Sequence, residues 1–494
     1  MGIVAVAALA GCDSLLEVDL PDAVTESALE LPSTAGTQVN SVMAAFECSY
    51  SGFTLNAAGY EDNFQRTSGV AGVYSEYADT PTSGECDSGA GYSSTWIDGL
   101  LISRAEGSKI YDRITNWTVA EVPNREKYLA QTALYVGLTL DVLGEHFCEM
   151  TVDSGPLMTP EETLTLAETW VNTALEHIQV TGDYALDVTS GRIAPSIEQM
   201  AYGARARIRW AKGDLAGAAE DAARVNNNFV AYVLREEGED RRNTVAVFAS
   251  PAQQAAGFLQ GPVKIFQSGS EHGISALGNN PVTGQPWPNP VPFTGYHNLA
   301  IESSTGRAVT ADGYPITTSA AGTVADNRVR HQIGNVAGGS NPITLKYTSF
   351  SDDIPLINWL EMRLIQAEAA NVAGDRQTAV DFVNEVRAAA NLPLVQGSYL
   401  AEALASADVV EDMIIEERRR ALWLEGRFWA TKILNTDKLW FPRDVGTWVN
   451  TSAQPPLSGG VRLLMPQNEY QINPNLSLAS RGTGCAPEQA PVFN

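Results

Sequence analysis

One short frame occurs at two distant places in the sequence, and it dictates a local fold. Ala206-Arg207-Ile208-Arg209-Trp210-Ala211-Lys212-Gly213-Asp214 is followed by Ala218, and Ala367-Glu368-Ala369-Ala370-Asn371-Val372-Ala373-Gly374-Asp375 by Ala379. In both copies an alanine precedes the glycine by seven residues and a second follows it by five. Small side chains at those offsets let two antiparallel helices approach closely. Glycine can end the first helix, and aspartate can cap the second. The frame therefore predicts two helix-turn-helix units.

These offsets are similar to those of the tetratricopeptide repeat. Residues 125–147 and 160–179 are expected to supply degenerate units. Between Gln131 and Glu145, Ala133, Val136, Leu140 and Leu143 are joined by Leu134 and Leu138, so more than one helix face is apolar and burial between neighbours is expected. Thr159-Pro160-Glu161-Glu162 offers an N-cap, a first-turn proline and two acids. It starts a helix with Leu166, Trp170, Ala174 and Ile178 on the expected buried face. Between 238 and 355 the periodicity gives way to Pro, Gly, Asn, Ser and Thr, which predicts an irregular insertion packed on the scaffold. The expected fold is mainly α: a tetratricopeptide-like helix-turn-helix scaffold with a loop-rich insertion carrying short strands. The expected organisation is 1–11 a lipoprotein signal segment, 12–35 an acidic tether, 36–237 an N-terminal helical scaffold, 238–355 the insertion, 356–441 a C-terminal helical region, and 442–494 a loop-rich tail.

The chain carries 32 Lys and Arg against 58 Asp and Glu, a net charge of −26 in 494 residues. That balance disfavours nucleic acid and anionic lipid surfaces as partners. Leu9-Ala10-Gly11-Cys12 closes a short apolar segment and has the form of a lipobox, which makes Cys12 the expected lipidation site. No Lys or Arg precedes Cys12, so a natural start further upstream is expected. Cys48, Cys86, Cys148 and Cys485 then remain, an even number that can form two disulfides in three pairings. Their spacing suits no CxxC zinc or redox site. No metal or cofactor is expected.

Nucleotide-binding, zinc-protease and serine-hydrolase motifs are absent, and the five histidines are dispersed. Aromatic residues are more informative, because sugar rings stack their C–H faces on exposed Trp and Tyr while amides and charges bond the hydroxyls. Two stretches read as non-helical have that composition: residues 60–66 with Tyr74, and residues 287–298. The candidate ligand contacts are Tyr60, Asn63, Arg66, Tyr74, Trp287 and Tyr296, with Trp96 at the start of a helix between core and cleft. Trp423, Phe428 and Trp429 fall at helical spacing and read as core. Glu417-Arg418-Arg419-Arg420 reads as a solvated face bridged to neighbouring helices.

Taken in order, several segments resemble the SusD/RagB family of outer-membrane nutrient-binding lipoproteins. They are the lipobox, the helix ending Leu143-Gly144-Glu145, the Pro160 helix, the Ala206–Ala218 frame, Met362-Arg363-Leu364-Ile365-Gln366-Ala367-Glu368-Ala369, Leu422-Trp423-Leu424-Glu425-Gly426, and the tail Leu464-Met465-Pro466-Gln467-Asn468-Glu469-Tyr470-Gln471-Ile472-Asn473-Pro474-Asn475-Leu476. Phe428 and Thr431 stand where the family usually has Arg and Asp, which implies rewired ion pairing. The resemblance implies a non-enzymatic lipoprotein anchored in the outer membrane and facing the cell surface. It would bind an oligosaccharide or a peptide and serve as the lid of a SusC-like TonB-dependent barrel. A hydrolase hidden in the insertion and an envelope scaffold without a ligand are the competing readings.

Overall fold

A computed structural model describes residues 26–61, 63, 65–66, 95–238, 241–248, 259–260, 283–286, 292–294, 296, 299–309, 321–336, 339–439 and 461–484. Before the insertion the helices are α1 (Glu26–Leu29), α2 (Ala35–Tyr60), α3 (Thr95–Asn116), α4 (Arg125–His146), α5 (Pro160–Thr181), α6 (Ile197–Ala211) and α7 (Leu215–Ala222). Within it lies α8 (Thr244–Phe248). After it come α9 (Trp359–Val372), α10 (Arg376–Ala389), α11 (Gly397–Ala405), α12 (Ala407–Ala421), α13 (Phe428–Leu434) and α14 (Gln467–Ile472).

Both copies of the repeated frame are helix corners. Gly213 and Gly374 adopt φ of +82° and +84°, a region that costs little only for glycine. One residue later the Asp214 and Asp375 side chains accept the N–H groups of Gly217 and Thr378, capping α7 and α10. α4 is buried almost all round, as its apolar pattern requires. Thr159 and Glu162 form a reciprocal capping box at the start of α5. The buried stripe of α5 is Leu164, Ala167, Val171, Ala174, Leu175 and Ile178. Leu166 and Trp170 lie at its edge, only partly covered, which corrects the expected face by a fraction of a turn.

From α2 to α7 each long helix packs on the next, and α7 then packs on α9, which packs on α10 and α12. The two copies of the frame, far apart in sequence, are therefore neighbours in one helical layer. The insertion loops out between them. Its ends meet because β4 (Val230–Val233) pairs antiparallel with β11 (Ile354–Asn358). Asn358, the last residue of that ladder, caps α9 through Leu360 N–H.

The other described strands are short: β1 (Gln65–Arg66), β2 (Leu186–Val188), β3 (Gly191–Ala194), β5 (Leu259–Gln260), β6 (Ala300–Glu302), β7 (Ala308–Val309), β8 (Thr323–Ala325), β9 (His331–Val336) and β10 (Gly339–Thr344). β2 pairs with β3, β9 with β10, and β6 with both β7 and β8, all antiparallel. The small β6 sheet is clamped to the C-terminal helices. Arg387 on α10 donates to the Gly306 carbonyl, and the Gln396 N–H reaches the Thr305 carbonyl at 3.0 Å.

The same clamp corrects the reading of residues 417–420 as a solvated face. All four are buried. Glu417 pairs with Arg387 at 2.8 Å and with Arg328, while Arg420 meets Asp326 at 3.1 Å. Burial alone would raise the Asp326 pKa, but Arg328 and Arg420 hold this carboxyl well below the usual range. The expected bridges to neighbouring elements exist, yet inside the protein rather than on its surface.

A second buried network ties the helical layer together. Arg427 bonds Glu145 on α4 at 2.6 and 2.9 Å and Glu361 on α9 at 2.8 Å, and Arg207 on α6 meets Glu361 at 2.6 Å. Arg427 and its partners thus carry the ion pairing at this corner, beside Phe428. Cys48 and Cys148 are both disulfide-bonded, while Cys86 and Cys485 lie outside the described residues. So do the signal segment, Cys12 and the tether up to residue 25. Among the described residues no helix is long and apolar enough to cross a membrane.

Candidate functional site

Three of the candidate ligand residues converge where α2 ends. Tyr60 is the last residue of that helix rather than part of a loop. The Glu61 and Asn63 N–H groups then close the end on the Ala57 and Ala58 carbonyls at 2.8 and 2.9 Å. The turn turns Glu61 inward, where its Oε1 accepts the Phe428 and Trp429 N–H groups at 2.7 and 3.1 Å. A carboxylate from one element thus satisfies the free donors at the start of α13. Its Oε2 accepts from Asn63 Nδ2 at 2.8 Å, and Lys432 Nζ donates to the Tyr60 carbonyl at 2.6 Å.

Tyr296 closes the cluster from the insertion side. Its hydroxyl lies 2.9 Å from Asn63 Oδ1 and 3.2 Å from the Arg419 carbonyl, the two acceptors sharing one donor. The Arg419 guanidinium covers the ring at 4.5 Å, and Trp423 approaches it edge-on. Tyr60 stacks on Trp429 with centroids 4.1 Å apart and planes 9° from parallel.

Tyr60, Asn63 and Tyr296 are only 5%, 1% and 1% exposed. The expected exposed platform is corrected at these three positions: they form a sealed seam between insertion and scaffold. The physical reason is that a Tyr ring with a satisfied hydroxyl suits a packed interface as well as a sugar face. Arg66 lies in β1, which pairs with β5 of the insertion in the register Arg66 with Leu259. Trp96 lies in the first turn of α3. Tyr74 and Trp287 lie outside the described residues. Glu61, Arg419, Trp429 and Lys432, which complete the seam, were not singled out as site residues. The only signal for Glu61 was its place within the aromatic-amide stretch.

Burial pushes the Glu61 carboxyl up to about 7, against the Trp429 and Phe428 N–H donors. Burial likewise pushes Glu47 up to about 7, against Arg235 and Arg241. Below pH 7 the folded protein keeps these protons, while the unfolded chain releases them above about 4.3. Their contribution to stability is therefore present below about pH 4.3 and is lost as pH rises through 7. Glu61→Gln keeps an acceptor for the two N–H groups and removes the titration. Urea unfolding at pH 5 and pH 8 should show wild type losing on the order of 2 kcal/mol more than the variant over that interval. Parallel pH profiles would contradict this assignment.

Comparison with known proteins shows what the chain is similar to. The SusD family model matches residues 314–430, from the insertion through α9–α12 into α13. A SusD-like protein, P38, of Formosa agariphila is 37% identical over 79 residues. Over these stretches the chain is similar to the SusD/RagB family. The alignment with P38 spans only 16% of either chain. The fold likeness is far longer. A SusD superfamily protein of Parabacteroides distasonis matches with a TM-score of 0.56 at 12% identity, covering 92% of this chain and 99% of the other. A SusD-like carbohydrate binding protein of Bacteroides vulgatus has a TM-score of 0.50 at 13% identity, covering 90% and 97%. A further B. vulgatus structure, named as a putative sugar binding protein, gives 0.53 at 14%, covering 90% and 98%. The mainly α scaffold with its short-stranded insertion is thus that of the SusD/RagB fold.

Proposed function

We propose that this protein is a SusD/RagB lipoprotein of the outer membrane that binds an oligomeric nutrient, a glycan, and passes it to a SusC-like TonB-dependent barrel. It acts as a lid on that barrel, held at the cell surface by a lipid on Cys12. The observation that carries the reading is the likeness along 90% of the chain to a structure named for carbohydrate binding. The seam adds physical support. A lid must move as one body, and ion pairs and aromatic packing lock the insertion to the helical layer. In this reading Arg66, Tyr74, Trp96 and Trp287 contact the glycan, whereas Tyr60, Asn63 and Tyr296 hold the surface that presents them. The protein captures its ligand and catalyses no reaction on it.

Two experiments test this. Native membranes are solubilised in mild detergent and the protein is pulled down; a stoichiometric large β-barrel should come with it. Recovery of the lipoprotein alone, with intact barrels elsewhere in the extract, overturns the partnership. A glycan array should then give a ligand whose affinity falls at least tenfold in Trp287→Ala with the circular dichroism unchanged. Peptides bound in place of glycans, or turnover of a labelled oligosaccharide by the pure protein, would replace the ligand class or the binding-only role.

A further inference from the structure

Asp141 is the odd member of the buried ion network. The network holds three carboxylates, Asp141 and Glu145 on α4 and Glu361 on α9, against two guanidiniums, Arg207 on α6 and Arg427 just before α13. Both oxygens of Glu145 and both of Glu361 accept guanidinium N–H groups, at 2.6–3.2 Å. Asp141 is 0% exposed, and neither of its carboxylate oxygens has a hydrogen-bond partner. The Arg207 Nη1 atom stops 4.0 Å from its Oδ2 and is itself unpartnered.

Charge balance decides which state Asp141 can hold. With all five groups ionised the cluster carries a net negative charge in the interior, where an unpaired charge is costly. A neutral Asp141 brings the sum to zero. Burial pushes its carboxyl well above the usual range, Glu145 one turn along α4 adds to the push, and Arg207 and Arg427 oppose it. His146 on the same helix is pushed down to about 4 by burial and stays neutral near pH 7. From α2, Tyr50 faces the two arginines, and burial pushes its hydroxyl up to about 12. Arg462 of the tail is committed to the Gly144 and Glu145 carbonyls. α5 packs on this stretch of α4 through Leu164 and Val171, and α3 through Ser103 on Thr139.

We propose that Asp141 is the proton-controlled arm of a switch on Arg207. Neutral, Asp141 leaves the guanidinium with Glu361 at 2.6 Å and with the Leu356 carbonyl at 2.5 Å, so that α6 is tied to α9. Ionised by loss of its proton to solvent, it draws Nη1 across the 4.0 Å gap and ties α6 to α4 instead. α6 and α9 are the first helices of the two copies of the repeated frame, so the switch sits on the joint between the two parts of the helical layer. The folded carboxyl titrates above the unfolded aspartate value near 3.9, so the folded state holds the extra proton. Its contribution to stability is therefore fully present below about pH 3.9 and is lost as pH rises through the folded value. This inference stands apart from the glycan reading and survives if that reading fails.

The test uses the full chain. Infrared spectra of the wild type and of Asp141→Asn at pH 6 should differ by one protonated-carboxyl C=O band, present in the wild type only; Glu47 and Glu61, common to both, cancel. The urea unfolding constant of the wild type, divided by that of the variant, should rise between pH 5 and pH 7, by at most about tenfold per pH unit for one proton. The Arg207 Nε–H signal, labelled with nitrogen-15 and assigned with Arg207→Lys, should move in step with the loss of the wild-type band as pH is raised, and should hold its position in Asp141→Asn. If that variant does not fold, carbon-13 labelling of aspartate identifies the wild-type band by its isotope shift. An Asp141 already ionised at pH 6, held by water or by Arg207, gives no such band and overturns the proposal. An Arg207 signal that stays fixed while the band disappears overturns it equally.

Discussion

Trp429→Ala should cost about 3–5 kcal/mol of stability, the range for truncating a buried large aromatic side chain. Trp429 is fully buried and lies in an aromatic cluster with Tyr60, Phe53 and His146. Its indole N–H donates to the Val461 carbonyl at 3.1 Å, joining the C-terminal tail to α13. The substitution removes the ring area and the stacked contact with Tyr60. It also leaves the Val461 carbonyl without that donor. The neighbours belong to α2, α4 and α13, which are fixed by other contacts, so collapse into the cavity is restricted. Urea unfolding followed by far-ultraviolet circular dichroism measures the loss. Val180→Ala, on an exposed face, should change stability by less than about 0.5 kcal/mol and serves as the control. A Trp429→Ala effect as small as the control's would show that the cluster does not bear the seam.

Arg427→Met should be about as damaging, and its effect should depend on pH. Burial would raise Glu361, but Arg207 and Arg427 hold it at about 2. Burial would likewise raise Glu145, which Arg427 keeps below the ordinary carboxylate range. Groups with lowered folded-state pKa contribute stability above their unfolded value near 4.3, and the contribution fades as pH falls toward the folded value. Removing the guanidinium leaves Glu145 buried without its main partner, which costs about 3–5 kcal/mol near neutral pH. Near pH 4 the orphaned carboxyl can take up a proton, so the deficit should shrink. Adding Glu145→Gln to Arg427→Met should recover about 1–3 kcal/mol at pH 7, because an uncharged amide is cheaper to bury than an unpaired carboxylate. A deficit independent of pH and of the second substitution would mean that the lost packing of the arginine stem, not its charge, sets the cost.

The helical scaffold was legible because its signals are local. A capping box needs Thr159 and Glu162 only; a corner needs Gly213 and Asp214 only. Even the burial of α4 follows from apolar residues within a few turns of one another. The seam was half legible: the aromatic-amide composition at residues 60–66 and at Tyr296 drew attention to segments that do meet. Composition could not tell that they meet each other, because Tyr60 and Tyr296 present the same chemistry to Trp429 and Arg419 that they would present to a ligand.

By itself the sequence determined the helix corners, their caps and the mainly α class, since those depend on residues within one or two turns. Only the tertiary structure decided which charges are interior. Arg420 finds Asp326, and Arg427 finds Glu145, across hundreds of intervening residues in the second case. A charge can be buried only where its partner is delivered to it, and that delivery is a property of the assembled fold. The return of the insertion through the β4–β11 ladder, which brings the two copies of the repeated frame side by side, is set at the same level.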